Sequence, residues 1–377
     1  MANNSGKIHV NPPFRADHVG SLLRPAALLQ ARRDRQAGKI TADALRAIED
    51  TAIRDAVALQ ERVGLQAITD GEFRRNNWRD RFFERTDGYS AEKIQSSFIF
   101  TEYSGVQRPG MPVTVAVGTL KRRDPITADD FADLQKLTKR TAKATIPSPT
   151  VNHFFTGDKG LAHSPYAGDR KRYLADIAAI YRQEIAELAR LGCKYLQVDE
   201  VPLAVLCDPK NQAIVESRGE NAQQLIDDYI GLINDAISER PKDMTLCVHL
   251  CRGNQGHGQA SGGYDPVAER LFQRLDFDGF FLEYDTPRAG DFQPLRFVPK
   301  DKVVVLGLMS TKLKALEPLD ELKRRVEEAS RHVDMARLCL SPQCGFASSA
   351  EVDRFTVEDE ERKLSHLVSA ASQIWKA

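Results

Sequence analysis

The sequence predicts an α/β protein: a parallel (β/α)8 TIM barrel with an antiparallel insertion after its second strand. Three observations predict it. Short apolar runs rich in β-branched residues recur near 15–20, 66–70, 142–146, 194–198, 244–250, 279–284, 302–308 and 337–341. Most are followed by a stretch with the apolar spacing of an amphipathic helix. Polar, metal-capable residues stand just past the runs, where a barrel of this kind carries its chemistry.

Taken in order, residues 1–13 combine Asn, Ser, Gly and a Pro pair and read as a mobile tail, with 14–377 as one barrel domain. The first run ends at Ser21. Thr41 then opens a helix through Ile53, Val57 and Leu59, and the second run ends at Asp70 and Glu72. Residues 78–130 interrupt the alternation with Phe98-Ile99-Phe100 and Val113-Thr114-Val115-Ala116-Val117. They read as an antiparallel excursion over the barrel mouth. The third run ends at Ser148 and precedes a helix at 171–190, with Tyr173, Ile177, Ile180, Tyr181, Ile185 and Leu188 on one face. Asp199 and Glu200 end the fourth run, His249 and Cys251 the fifth, Glu283 the sixth, Ser310 the seventh, and Cys344 lies past the eighth. Helices at 221–239, 264–274, 318–334 and 357–376 fill the remaining intervals.

The chain balances 53 basic against 53 acidic residues. No global field therefore draws it to nucleic acid or an anionic membrane. No apolar run approaches the roughly 18 residues of a bilayer span, and the start has no apolar signal region. Six cysteines without small-domain spacing point to reduced thiols in the cytoplasm, where a Cys/His cluster serves metal binding or catalysis. The local run Arg74, Arg75, Arg79 and Arg81 reads as a solvated or ion-paired face in preference to an anion site.

His249 and Cys251 are spaced i, i+2, which on a strand places both on one face, roughly 6–7 Å apart. With Cys344 and Glu283 they form a donor set suited to tetrahedral zinc. Two thiolates and a carboxylate outweigh the metal's charge, which favours holding a bound sulfur as a nucleophile over activating water. Cys247 shares the strand face but lies deeper and reads as core. His257, in a Gly-rich loop, could replace Glu283. Cys193, Cys207 and Cys339 read as packing residues. Asp70 with Glu72 and Asp199 with Glu200 could hold an ammonium group, or pair with the local arginines, for instance Glu72 with Arg74 or Arg75. The Gly20-Ser21 turn could hold a carboxylate.

These residues give the chain a resemblance to the catalytic barrel of cobalamin-independent methionine synthase, and within it to the short, single-barrel branch of bacteria and fungi. The resemblance covers roughly 14–376. Its segments are His18-Val-Gly-Ser-Leu-Leu-Arg24, Ile68-Thr-Asp-Gly-Glu-Phe-Arg-Arg75, Gln197-Val-Asp-Glu200, Val248-His-Leu-Cys251, Phe281-Leu-Glu-Tyr284 and Ser341-Pro-Gln-Cys-Gly-Phe346. The resemblance implies zinc on His249, Cys251, Glu283 and Cys344. It also implies homocysteine held by Ser21, Glu72 and Asp199.

Three family features are missing. No His follows the seventh run, which continues Ser310-Thr311-Lys312. No Trp follows the third, which reads Ile146-Pro-Ser-Pro-Thr-Val-Asn-His153. No acid occurs at 201–206. The amino-terminal barrel of full-length members has no counterpart either. The thiol-acceptor half is kept and the folate half is not.

The expected activity is therefore a zinc-dependent S-methyltransferase that turns homocysteine into methionine. Its donor is not bound as in the folate-dependent enzymes; either His153 or His18 protonates the leaving group, or the donor carries a leaving group that needs no proton. The alternatives are alkylation of another thiol, such as epoxide opening by coenzyme M with the arginine run as sulfonate site, and a non-catalytic zinc-binding barrel. The sequence leaves open whether the chain forms a homo-oligomer.

Overall fold

The computed structural model describes residues 11–96, 98, 100–102, 107–108, 110, 112–254, 257–258, 260–350 and 355–376. Most of the predicted tail, 1–10, thus lies outside the described residues.

Six strands form one parallel sheet whose neighbours follow chain order: Ala144–Pro147, Tyr195–Glu200, Thr245–Leu250, Gly279–Glu283, Val303–Met309 and Leu338–Pro342. Nearly every position in these strands is buried. That is the signature of a parallel sheet covered on both faces, and it is why the strands read as continuous apolar runs. Helices Arg170–Arg190, Ala222–Ile237, Asp265–Arg274 and Leu319–Ala329 supply crossovers. Between Gly279–Glu283 and Val303–Met309 the described connection uses only the 3-10 turns Pro287–Ala289 and Gln293–Phe297. Among the described residues no helix is long and apolar enough to cross a membrane.

The first two predicted strands are shorter than their sequence runs, and the third is split into Thr141–Ala142 and Ala144–Pro147. Ala67–Ile68 pairs in parallel with Thr141–Ala142, two residues before the main sheet begins at Ala144. The run at 15–20 makes only one parallel bridge, Ala16 to Leu340. The Asp17 side chain explains this. It accepts from the backbone of Phe14 at 3.1 Å and of His18 at 2.7 Å, offering local partners that compete with a ladder. The segment still runs beside its expected neighbour, since Thr69 Oγ1 donates to Gly20 O at 2.7 Å and Leu22 N to Gly71 O at 3.1 Å.

Within 78–130, Thr86–Gln95 pairs antiparallel with Pro112–Arg122. Phe100–Glu102 pairs with His257–Gly258, in the loop that follows Cys251.

A small cluster of Phe14, Val19, Ala67, Tyr195, Cys247, Phe281, Val305 and Cys339 packs separately from the main core. Beside it Lys143 is fully buried. Its ammonium pairs with Asp17 Oδ1 at 3.1 Å and lies 4.2 Å over the Phe281 ring.

Glu360, on helix Val357–Trp375, ties that helix to the first loop by accepting from Leu23 N at 2.8 Å. Burial pushes its carboxyl up to about 8 from an ordinary 4.5. Between those values the unfolded chain gives up the proton and the folded one keeps it, so stability falls as pH rises through that window. Glu360→Gln keeps the acceptor and removes the charge. It should raise the melting temperature at pH 8, by the equivalent of a few kcal/mol, with the gain shrinking toward pH 5. Parallel melting curves at both pH values would contradict this.

Candidate metal and thiol site

The alternating side chains of Thr245–Leu250 place Cys247, His249 and the following Cys251 on one face. Cys247 points into the small cluster, where a Cβ on Gly279 would stand 2.8 Å from its sulfur. That burial pushes its thiol far up, in keeping with a core role. His249 sits opposite Asp199 in register, and Cys251 N donates to Glu200 O at 3.1 Å.

Cys344 follows Leu338–Pro342, and its loop is anchored on three sides. Gln343 N donates to Met309 O, Phe346 N donates to Ser21 O, and Asn254 Nδ2 donates to Gly345 O at 2.8 Å. Gly345 is required there: a Cβ would fall 1.9 Å from Ser21 Oγ.

His249, Cys251 and Cys344 each offer a ligand atom, and these atoms lie within 4.8 Å of one another. The two sulfurs are 3.6 Å apart. A disulfide needs ~2.05 Å, whereas two sulfurs ~2.3 Å from one tetrahedral zinc stand about 3.8 Å apart. The hydrogen bond from Cys344, with His249 beside it, pulls the Cys251 thiol down to about 5. Giving that bond, together with burial, pushes Cys344 well up. The buried His249 ring has no oxygen or nitrogen partner among the described residues and interacts with the Cys251 sulfur, the setting of an imidazole placed to serve as a ligand. The donor set fits zinc.

Glu283, the fourth expected ligand, is fully buried and close enough to act electrostatically on all three. Its carboxylate is bonded elsewhere. Oε1 accepts from Lys312 Nζ at 2.8 Å and from Arg288, and Oε2 accepts from Arg252 N at 3.0 Å. These cations hold the carboxyl below its usual range against the effect of burial. The side chain of the rival His257 lies outside the described residues.

The expected thiol contacts gather beside this cluster. Ser21 is buried, with its backbone joined to the Cys344 loop. Glu72 adopts a left-handed φ of 62°, which costs about 1–3 kcal/mol in a residue with a side chain. Its Oε1 accepts from Thr145 Oγ1 at 3.0 Å, while its Oε2 and Asp70 Oδ2 are buried without partners. Asp199 accepts from Gln197 Nε2 at 2.7 Å. Burial, and then the charge of Glu72, push its carboxyl up to about 7. Glu200 instead serves the fold, bonded to Thr150 and to Leu203 N.

The arginine run is not a solvated face. All four side chains are buried. Arg74 pairs with Asp50, Asp130 and Asp133, and Arg81 with Asp130. Arg75 stands 3.6 Å from Glu72 Oε1, and Arg79 lies over the Phe155 ring. The acids that bury this run come from distant segments, which local sequence does not reveal.

Neither expected proton donor is idle. His153 Nδ1 is 2.8 Å from the Tyr229 hydroxyl and Nε2 is 3.0 Å from Asp158 Oδ1. With Glu220 these form a second group of metal-capable residues, already satisfied by hydrogen bonds and by Arg218. His18 bonds to Ala67 O at 3.1 Å, and burial, with Lys143 nearby, pulls its pKa down to about 4. Sequence reading missed Lys312, Arg288 and Asp285. Lys312 lies just past the seventh strand, and nothing in its local sequence marks it as a partner of Glu283.

A family model described as the catalytic domain of cobalamin-independent synthase matches residues 14–373. The uncharacterized protein YxjG of Bacillus subtilis (strain 168) is 41% identical over 97% of this chain and 96% of its own length. A solved structure from Listeria monocytogenes, provisionally named a vitamin-B12 independent methionine synthase, is 35% identical. It superposes with a TM-score of 0.74, covering 97% of this chain and 99% of that one. A longer relative, the 5-methyltetrahydropteroyltriglutamate–homocysteine methyltransferase of Thermotoga sp. (strain RQ2), is 22% identical over 89% of this chain but only 42% of its own length.

Proposed function

The chain belongs to the family of cobalamin-independent synthase catalytic domains, and from that membership we propose that it is a cytoplasmic, zinc-dependent S-methyltransferase converting homocysteine to methionine. The observation that carries the reading is the convergence of the buried His249, Cys251 and Cys344. We read the parallel strands and the bridged segment at Ala16 as the eight staves of a (β/α)8 barrel, 14–377, whose strand ends carry the site. The antiparallel excursion meets the loop after Cys251 at His257–Gly258, which supports its covering the mouth.

His249, Cys251 and Cys344 would hold zinc, with Glu283 as the exchangeable fourth ligand. Bound there, zinc lets an incoming thiol lose its proton at neutral pH. The chain's own residues position that thiol. The unpartnered oxygens of Glu72 and Asp70, with Asp199 beside Glu72, suit a substrate ammonium, and Ser21 suits the carboxylate. The hydrogen bonds of His153 to Tyr229 and Asp158 and of His18 to Ala67 O favour a methyl donor whose leaving group departs without a proton from either histidine. The sulfonate-thiol alternative needs cations free for an anion, yet Arg74, Arg75 and Arg81 already face carboxylates.

Zinc-loaded protein titrated with homocysteine should add one sulfur to the metal's shell by X-ray absorption. Glu72→Gln should weaken that uptake by roughly 10- to 100-fold, the value of one buried charged hydrogen bond. Entry of a sulfonate thiol alone would replace this reading with its rival. A shell that accepts neither thiol would favour a non-catalytic zinc protein.

A further inference from the structure

Glu283 is gripped by three donors, all from the protein: Lys312 Nζ and Arg288 on Oε1, and the backbone N–H of Arg252 on Oε2. Two features of this grip matter. Neither cation depends on Glu283 alone. Lys312 also bonds both oxygens of the buried Asp285, at 3.2 and 3.1 Å. Arg288 also reaches Arg252 O at 3.4 Å and Ala260 O at 3.3 Å. The oxygen held by Arg252 N is tethered one residue past Cys251, so Oε1 can change partners while Oε2 stays.

We propose that Lys312 and Arg288 form a dock for the Glu283 carboxylate that competes with the metal for Oε1 and so keeps the fourth ligand position exchangeable for substrate sulfur. This rests on the thiol-methyltransferase reading above and adds to it the residues that decide whether the site is open. A closed set of four protein ligands is the mark of a structural zinc site, and a catalytic one keeps a position free. A buried carboxylate that leaves a metal needs a cationic destination, because an uncompensated buried charge is strongly disfavoured. The dock is that destination. Asp285 keeps Lys312 paired in either arrangement, and Arg288, partly exposed, keeps its two carbonyl contacts and access to water. Lys312, Arg288 and Asp285 are positioning residues, since they act through Glu283.

The test uses the full chain loaded with zinc, homocysteine as the probe, and X-ray absorption at the zinc edge as the readout. A chromophoric chelator gives the zinc affinity. Lys312→Met combined with Asp285→Asn removes the buried pair together and avoids leaving a bare carboxylate. In that variant Glu283 should stay on the metal. Homocysteine should then be needed at roughly 10- to 100-fold higher concentration for a third sulfur to enter, and zinc should be held more tightly by a similar factor. Lys312→Arg, which keeps the charge, should stay near wild type. Arg288→Met should move both values the same way, and its partly exposed side chain makes it the fallback should the double variant fail to fold. Unchanged thiol midpoint and zinc affinity in the variants, with normal thiol entry in the wild type, overturn the dock and leave the function standing. A wild-type protein that takes up no zinc, or admits no third sulfur, overturns both.

Discussion

Cys344→Ala should release the metal and lower thiol methylation on the order of 1,000-fold or more, while the protein stays folded. Cys344 supplies one of only two sulfurs in the cluster, 3.6 Å from the other. Its removal takes away a thiolate ligand and one of the three negative charges, two thiolates and the Glu283 carboxylate, that make the site suit a thiol. The fold should tolerate the change, because the surrounding loop is fixed by Gln343, Asn254, Ser21 and Phe346, not by the sulfur. Losing one buried atom costs about 1 kcal/mol. The matched control is Cys339→Ala. Cys339 is equally buried, but it belongs to the small cluster with Phe14 and Val305, so its variant should keep full zinc. Metal content by mass spectrometry and circular dichroism separate the two cases. Stoichiometric zinc in folded Cys344→Ala would remove the basis of the assignment.

Asp17→Ala should be the most damaging single change to stability that leaves the site's own residues untouched. Asp17 is fully buried. It pairs with Lys143, accepts from the Tyr195 hydroxyl at 2.9 Å, and accepts from the backbone of Phe14 and His18. Truncation strands the Lys143 ammonium among aromatic rings. Breaking one side of a buried pair costs ~3–5 kcal/mol, which lowers the melting temperature by about 5–10 °C. Replacing both partners, Asp17→Ala with Lys143→Met, should recover a large part of that loss, because no charge is then left unpaired. A double variant no more stable than Asp17→Ala would show that the backbone hydrogen bonds of Asp17, and not its ion pair, carry the effect.

Much of this was legible before any coordinates. The period of two along a strand made His249-x-Cys251 a same-face pair. The position of Cys344 just past an apolar run put it at the same end of the sheet. Uniform burial of parallel strands explains why 194–198, 302–308 and 337–341 stood out as apolar runs. The run at 15–20 does lie beside Leu338–Pro342, through Asp17 N to Leu340 O and Leu340 N to Arg15 O, but its ladder stops there, where His18 N turns to the Asp17 side chain, a local competition that hydropathy does not register. The arginines at 74–81 were half legible: they are ion-paired as expected but buried, not solvated. Arg74 draws on Asp50 and Asp133, which are 24 and 59 residues distant, so no local pattern marks them as buried.

The sequence by itself determined which chemical groups stand at the strand ends, because strand period and helix spacing are local properties that residue order encodes directly. Only the tertiary structure decided which of those groups are spoken for. Lys312 reaches Glu283 across 29 residues, and Tyr229 reaches His153 across 76. Such pairings depend on how separate segments pack side by side, and charge compensation in a buried interior is settled by that packing.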